Sequence, residues 1–154
     1  MKHIVVGLAH CFAVDVKELE IKCFSEPWSF TAISNSLNDA HSYGFAIFKD
    51  RSLTAYGLMQ VVCDEGDVLR IAVDPAFQNK GMGLSIMQAM ACKASILGLK
   101  RLTLELRSSN KAAAALYTKA GFIIDGLRKN YYKNPVEDGI LMSRSINLNV
   151  DTCN

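Results

Sequence analysis

The stretch Gln78-Asn79-Lys80-Gly81-Met82-Gly83 follows Leu69-Arg70-Ile71-Ala72-Val73-Asp74-Pro75 and opens onto Leu84-Ser85-Ile86-Met87-Gln88-Ala89-Met90. The apolar run that ends at Val73 reads as a strand, Asp74-Pro75 stops it, and the residues from Leu84 read as a helix. A glycine-bearing loop therefore joins a strand to a helix start. The first N–H groups of a helix lack intrahelical partners and carry the positive end of the macrodipole, so this start suits a phosphate. Gly81 and Gly83 remove the Cβ atoms that would hold a phosphate away from the backbone. Neither G-x-x-x-x-G-K-[ST] nor G-x-G-x-x-G is present, so neither a nucleoside-triphosphate loop nor a dinucleotide fold is supported.

Further on, Leu102-Thr103-Leu104-Glu105-Leu106-Arg107 alternates like a strand, and Ser108-Ser109-Asn110 has the chemistry of a turn and helix N-cap. Lys111 to Ala120 is then an alanine-rich helix ended by Gly121. Q-x-x-G-x-G after Val-Asp-Pro resembles the pyrophosphate loop of the GNAT acetyltransferases. The run L-E-L-R-S-S-N-K-A-A-A-A-L-Y-T-K-A-G-F is similar to a subfamily, the RimI-type ribosomal-protein-alanine N-acetyltransferases. Phe24-Ser25-Glu26-Pro27-Trp28-Ser29, Arg128-Lys129-Asn130-Tyr131-Tyr132 and Glu137-Asp138-Gly139-Ile140-Leu141-Met142 agree with it, and the resemblance runs from Asp15 to Arg144. Four features depart from the pattern: the first eleven residues, Asn79-Lys80, Lys129 and Gly139.

The resemblance implies an α/β (α+β) fold of GNAT type: a mixed, mostly antiparallel central sheet of about seven strands, flanked by helices, with two parallel central strands that splay apart. It implies acetyl-CoA as co-substrate, with its pyrophosphate on the amides of Asn79, Lys80, Gly81, Met82, Gly83 and Leu84. The pantetheine arm would lie along Ile71, Ala72 and Val73, and Asn110 would be a further cofactor contact. The Lys80 side chain either adds charge to the phosphates or is an ordinary solvated lysine. Glu105 takes the position of the general base, acting through water, Tyr117 that of the general acid toward sulfur, and the Val73 N–H that of the oxyanion donor.

On the acceptor side the resemblance implies that Trp28, Arg128, Asn130, Tyr131 and Tyr132 border a peptide groove, although core packing of Trp28 and strand alternation of the tyrosines explain them equally well. Glu137 and Asp138 either attract a cationic amine or form a solvated turn. The implied reaction is acetylation of the N-terminal α-amine of a protein, with the N-terminal alanine of small-subunit ribosomal protein eighteen as the subfamily's substrate. A GNAT enzyme acting on a lysine or a small-molecule amine, and an acyl-CoA binding module without turnover, are the alternatives.

Composition sets further bounds. A length of 154 residues, 50% of them hydrophobic, suits one domain over residues 1–154 with a tail fraying from about residue 147. A net charge of +2 without a dense Lys/Arg cluster gives no basis for direct nucleic-acid binding. Cys11, Cys23, Cys63, Cys92 and Cys153 show no C-x-x-C spacing and read as buried, reduced thiols, and with His3, His10 and His41 all in the first third no metal site is expected. His10 interrupts the apolar run Ile4 to Cys11, which rules against a secretion signal, and no run approaches the ~18 apolar residues of a membrane span. A cytoplasmic protein is expected, with no membrane partner.

The expected elements in order are a strand over His3 to Leu8, a helix over Val14 to Phe24, and a short helix capped by Ser29 or Thr31. Strands follow at Ser42 to Phe48, Thr54 to Cys63 and Val68 to Val73, then a helix over Leu84 to Leu97. The strand Leu102 to Leu106, the helix Lys111 to Ala120, and strands near Phe122 to Tyr132 and Gly139 to Ile146 complete the chain.

Overall fold

The computed structural model describes Lys2–Asn147, so nearly all of the tail expected to fray lies outside the described residues. Seven strands, β1 (Val6–Gly7), β2 (Ser42–Lys49), β3 (Ser52–Val62), β4 (Glu65–Val73), β5 (Arg101–Arg107), β6 (Ile123–Lys133) and β7 (Val136–Ser145), form one sheet in the order β1-β2-β3-β4-β5-β7-β6. Four helices accompany it: α1 (Ala13–Cys23), α2 (Phe30–Asn38), α3 (Met82–Ile96) and α4 (Lys111–Lys119). Every pairing is antiparallel except that of β4 with β5. The expected mixed sheet with one parallel central pair is the one observed.

Capping settles the start of α2, because the Ser29 hydroxyl accepts from the Ala32 N–H at 3.1 Å. β1 is shorter than the expected His3 to Leu8. Its first residues leave the sheet edge, and the His3 ring reaches the Lys80 carbonyl at 2.6 Å. Helix α3 starts at Met82, two residues before the expected Leu84, because Gly81 takes the left-handed conformation with φ 83° and caps it. β7 likewise starts earlier, at Val136.

The helices sandwich the sheet unevenly. One core, with Met59, Val68, Ile86, Met87, Met90, Leu102, Leu104 and Leu106, lies under α3. A second, with Val16, Leu19, Ile33, Ala46, Tyr56, Leu58 and Ala72, lies under α1 and α2 on the opposite face. β3 runs between them and is buried from Leu53 to Met59, as a strand covered on both faces must be. The expectation of buried thiols fails at Cys11 and Cys63, which are exposed, and at Cys23, which is half-buried. Cys92 is disulfide-bonded rather than reduced.

The feature that creates a site is the parting of β4 from β5. Their ladder holds only from Glu65–Arg101 to Asp67–Thr103. Just beyond, the β3–β4 register jumps: Met59 faces Val68 and Leu58 faces Arg70, leaving Leu69 as the extra residue of a bulge. A bulge bends its strand and sharpens the twist, so β4 swings away while β5 stays zipped to β7 as far as Arg107.

Candidate active site

The gap between β4 and β5 exposes a strand edge in the middle of a sheet. The Asp74 N–H donates to the Thr54 carbonyl of β3 at 2.8 Å. By alternation along the strand, Ala72 also turns its backbone groups to β3, and Ile71 and Val73 present theirs to the gap. Of the three residues expected to meet an extended ligand arm, Ile71 and Val73 therefore offer backbone partners, and Ala72 packs in the α1-side core. The Val73 carbonyl already accepts from Cys23 Sγ and Gln78 Nε2, each at 3.2 Å. Burial pushes the Cys23 thiol up to about 11, so it stays a donor at neutral pH.

The edge leads onto the loop Gln78 to Gly81. Asn79, with φ 59°, and Gly81, with φ 83°, both adopt the left-handed conformation, which turns backbone amides into a concave anion-binding nest. The first α-helical bond from the cap runs from the Ser85 N–H to the Gly81 carbonyl at 3.0 Å, so the amides of Met82, Gly83 and Leu84 precede it. Met82 is buried and anchors the helix start, so it brings only its backbone to the turn. Lys80 folds back: its ammonium donates to the Ala76 carbonyl at 3.3 Å and sits 5.3 Å from the Phe77 ring.

Gly83 has a second reason to be glycine. A Cβ there would lie 2.9 Å from Leu116 Cδ2, so the close packing of α3 against α4 favours the bare position.

Glu105 projects from β5 on the face away from α3, since Leu102, Leu104 and Leu106 fill the α3 core and the odd-numbered residues turn the other way. Its carboxylate lies 3.5 Å from the Arg128 guanidinium of β6. The nearby Glu105 carboxylate holds the Tyr131 phenol above its usual value. The Tyr131 ring lies over Gly139, where a Cβ would come within 3.1 Å of Cδ1. Asn130 is a bulge residue with φ 52°, and its N–H donates to Asp138 Oδ1 at 2.8 Å. Glu105, Arg128 and Tyr131 are thus brought together, whereas Asn130 serves the bend of β6.

Tyr117 projects from α4 and packs against Phe122 with ring centroids 6.0 Å apart. Burial pushes its phenol up to about 12, so it remains protonated and able to donate. The charge of Arg70 partly opposes that rise, Tyr132 adds to it, and Glu105 in turn acts on Tyr132. Asn110 caps α4 through Oδ1, which accepts from the Ala113 N–H at 3.1 Å, leaving its amide nitrogen as a donor.

Glu137 does not wait for an amine. Its carboxylate accepts from Arg107 Nη1 at 3.0 Å, from the Ser109 N–H at 3.1 Å and from Ser109 Oγ at 3.0 Å, and these bonds hold its carboxyl below the usual range. It clamps the turn that launches α4, and with it Tyr117. Trp28 is half-buried; its N–H donates to Glu20 Oε2 at 2.8 Å and its carbonyl accepts from Lys17 at 2.7 Å.

Sequence reasoning missed Glu20 and Arg70, which meet beneath Trp28. The available signal was Arg70 itself, a charge inside the apolar run Leu69 to Val73, which demands a buried partner.

Comparison with known proteins gives a consistent picture. The acetyltransferase (GNAT) family model matches residues 13–122. The [ribosomal protein bS18]-alanine N-acetyltransferase of Escherichia coli strain K12 is 32% identical over 132 residues, covering 84% of this chain and 88% of that protein. A putative enzyme of the same description from Bacillus subtilis is 31% identical over 133 residues, covering 86% and 88%. The crystal structure of the Escherichia coli ribosomal-protein-S18-alanine N-acetyltransferase superposes with a TM-score of 0.86 at 29% identity, covering 94% of each chain.

Proposed function

The chain belongs to the acetyltransferase (GNAT) family, and from that premise we propose that it transfers the acetyl group of acetyl-CoA to the N-terminal α-amine of a protein, the N-terminal alanine of ribosomal protein bS18. One observation carries the proposal: an unpaired strand edge at Ile71 and Val73 runs directly into the amide nest at Asn79 to Leu84, beside the strand β5 that carries Glu105. That layout fits an extended arm ending in a pyrophosphate. No helix among the described residues is long and apolar enough to cross a membrane, and we assign the reaction to the cytoplasm.

Acetyl-CoA supplies an activated acetyl thioester. Glu105 takes the proton of the attacking amine through water, with the Arg128 guanidinium 3.5 Å from its carboxylate. The Val73 N–H faces the gap and stabilises negative charge developing on the thioester oxygen. Tyr117, protonated at neutral pH, donates to the departing thiolate. The α-amine suits so modest a base, because its pKa of about 7.7 to 8.0 leaves part of it neutral at pH 7, whereas a lysine near 10.4 is almost wholly charged.

The test is a panel of peptides assayed with acetyl-CoA: the bS18 N-terminus with free alanine, the same peptide blocked at its N-terminus, and one with an internal lysine. Mass mapping should place the acetyl group on the α-amine of the first. Acetylation mainly on lysine would transfer the assignment to a lysine or small-amine enzyme, and binding without turnover to an acyl-CoA binding module.

A further inference from the structure

Glu20 is fully buried in α1, and four donors converge on its carboxylate. They are the Tyr56 hydroxyl, Arg70 Nε at 2.9 Å, Arg70 Nη2 at 2.7 Å and the backbone N–H of Trp28 at 2.8 Å. The Arg70 guanidinium in turn stacks 3.5 Å from the centre of the Phe24 ring, lies 5.2 Å from that of Trp28, and donates to the Glu26 carbonyl at 3.3 Å. Lys17 holds the Trp28 carbonyl, so both backbone groups of Trp28 are bound by side chains of α1. The segment Phe24 to Trp28, which joins α1 to α2, is therefore held by Glu20, Arg70 and Lys17.

The position of Arg70 gives this network a functional meaning. It directly follows the Leu69 bulge and directly precedes Ile71, at the point where β4 leaves β5. Its side chain keeps 20% of its exposure, and three residues on, the Val73 carbonyl accepts from Cys23 Sγ at the end of α1 at 3.2 Å. A buried ion pair is a poor source of net stability compared with apolar packing, and its attested use is to fix one geometry among several. Here the geometry fixed is that of a loop carrying Phe24 and Trp28 beside the open gap.

We propose that Glu20 and Arg70 are positioning residues for the acceptor: they hold the Phe24–Trp28 segment as a rigid wall of the acceptor side, and leave acetyl-CoA binding to the backbone edge at Ile71 and Val73 and to the amide nest. This role presupposes the acetyl transfer described above and adds the residues that shape its acceptor groove.

Steady-state kinetics of Arg70→Met, Arg70→Lys and Phe24→Leu against wild type test the role. For Arg70→Met the acceptor KM should rise roughly tenfold or more, with kcat and the acetyl-CoA dissociation constant within about twofold, because only acceptor placement is lost. Arg70→Lys, which keeps the charge but loses the two-pronged contact, should fall between. Phe24→Leu keeps the ion pair and should raise acceptor KM about threefold, and it decides the matter if Arg70→Met fails to fold. A purely structural role lowers the folded fraction, and with it apparent kcat, without moving KM. An unchanged acceptor KM in the folded variants, or a defect confined to acetyl-CoA affinity, overturns the proposal. The comparison uses whichever amine the wild-type protein acetylates, so failure on the alanine peptide counts against the acceptor assignment, and an unmoved KM counts against the wall.

Discussion

Gly83 and Leu116 meet at the foot of helices α3 and α4, where an added Cβ would come within 2.9 Å of the leucine Cδ2. The second glycine of the loop thus serves helix packing. Gly83→Ala should destabilise the protein by about 1 kcal/mol, the low end for overpacking because the leucine end can rotate. Adding Leu116→Val should recover most of that loss. Acetyl-CoA affinity should recover together with stability in the double variant, since the added Cβ is directed at Leu116. A urea-unfolding cycle combined with calorimetric acetyl-CoA titration checks both halves, and affinity that stays reduced once stability has recovered would give Gly83 a role beyond packing.

Glu105→Gln keeps shape and removes basicity, so kcat should fall by about 10² to 10⁴ with acetyl-CoA binding retained. Tyr117→Phe keeps the ring against Phe122 and removes only the donor, so kcat should fall by about 10². The pH profiles should differ in kind. As pH rises through the α-amine pKa of about 7.7 to 8.0, the Gln variant regains rate because the amine deprotonates unaided, whereas the Phe variant does not. Since burial holds the Tyr117 phenol at about 12, the wild type should show no loss of rate from its ionisation up to about pH 10. Rates near wild type for both variants would remove these residues from the chemistry.

Glu137 acts on Tyr117 through the turn it clamps. Glu137→Gln should weaken the charged contact to Arg107 and loosen the Ser108-Ser109-Asn110 turn, shifting α4. Small displacements of a catalytic group can cost up to about 10²-fold in rate, and a drop in kcat of about tenfold is expected here, with acceptor KM little changed. An increase in acceptor KM at constant kcat would instead mean that the carboxylate meets the amine directly.

Acid should loosen the α1–β4 junction. Burial alone would raise the Glu20 carboxyl, but hydrogen bonds from Arg70, Tyr56 and Trp28 outweigh it and hold the pKa below the ordinary 4.5. With the folded value depressed, the stabilisation is present above the unfolded value and is lost as pH falls through the folded one. The urea midpoint should therefore drop below pH 4.5, and Glu20→Gln should show a shallower drop from a lower starting stability. Equal slopes for both proteins would remove Glu20 from the acid response.

Much of the fold was legible because local signals agreed with it. The Asp74-Pro75 stop, the Ser29 and Asn110 caps and the alternation of Leu102 to Arg107 each mark a boundary that tertiary packing had no reason to move. The elements that shifted are those whose limits depend on distant partners. β1 is cut short by the reach of His3 to Lys80, and α3 is lengthened by the left-handed cap at Gly81. Glu137 looked like a solvated turn residue because nothing local shows that Arg107, thirty positions earlier, lies across from it.

By itself the sequence determined the order of elements and the glycine loop, since each is written in periods and spacings a few residues long, while its resemblance to the GNAT family pointed to Glu105 and Tyr117 as a catalytic pair. Only the tertiary structure decided where β4 leaves β5, because the bulge at Leu69 exists only in register with β3. Only it joined Glu20 to Arg70 across fifty positions and set Glu105 against Arg128 and Tyr131. The physical reason is the same in each case: a buried charge or an unpaired strand edge is satisfied by whatever the fold brings to it, and the chain's local pattern carries no record of that partner.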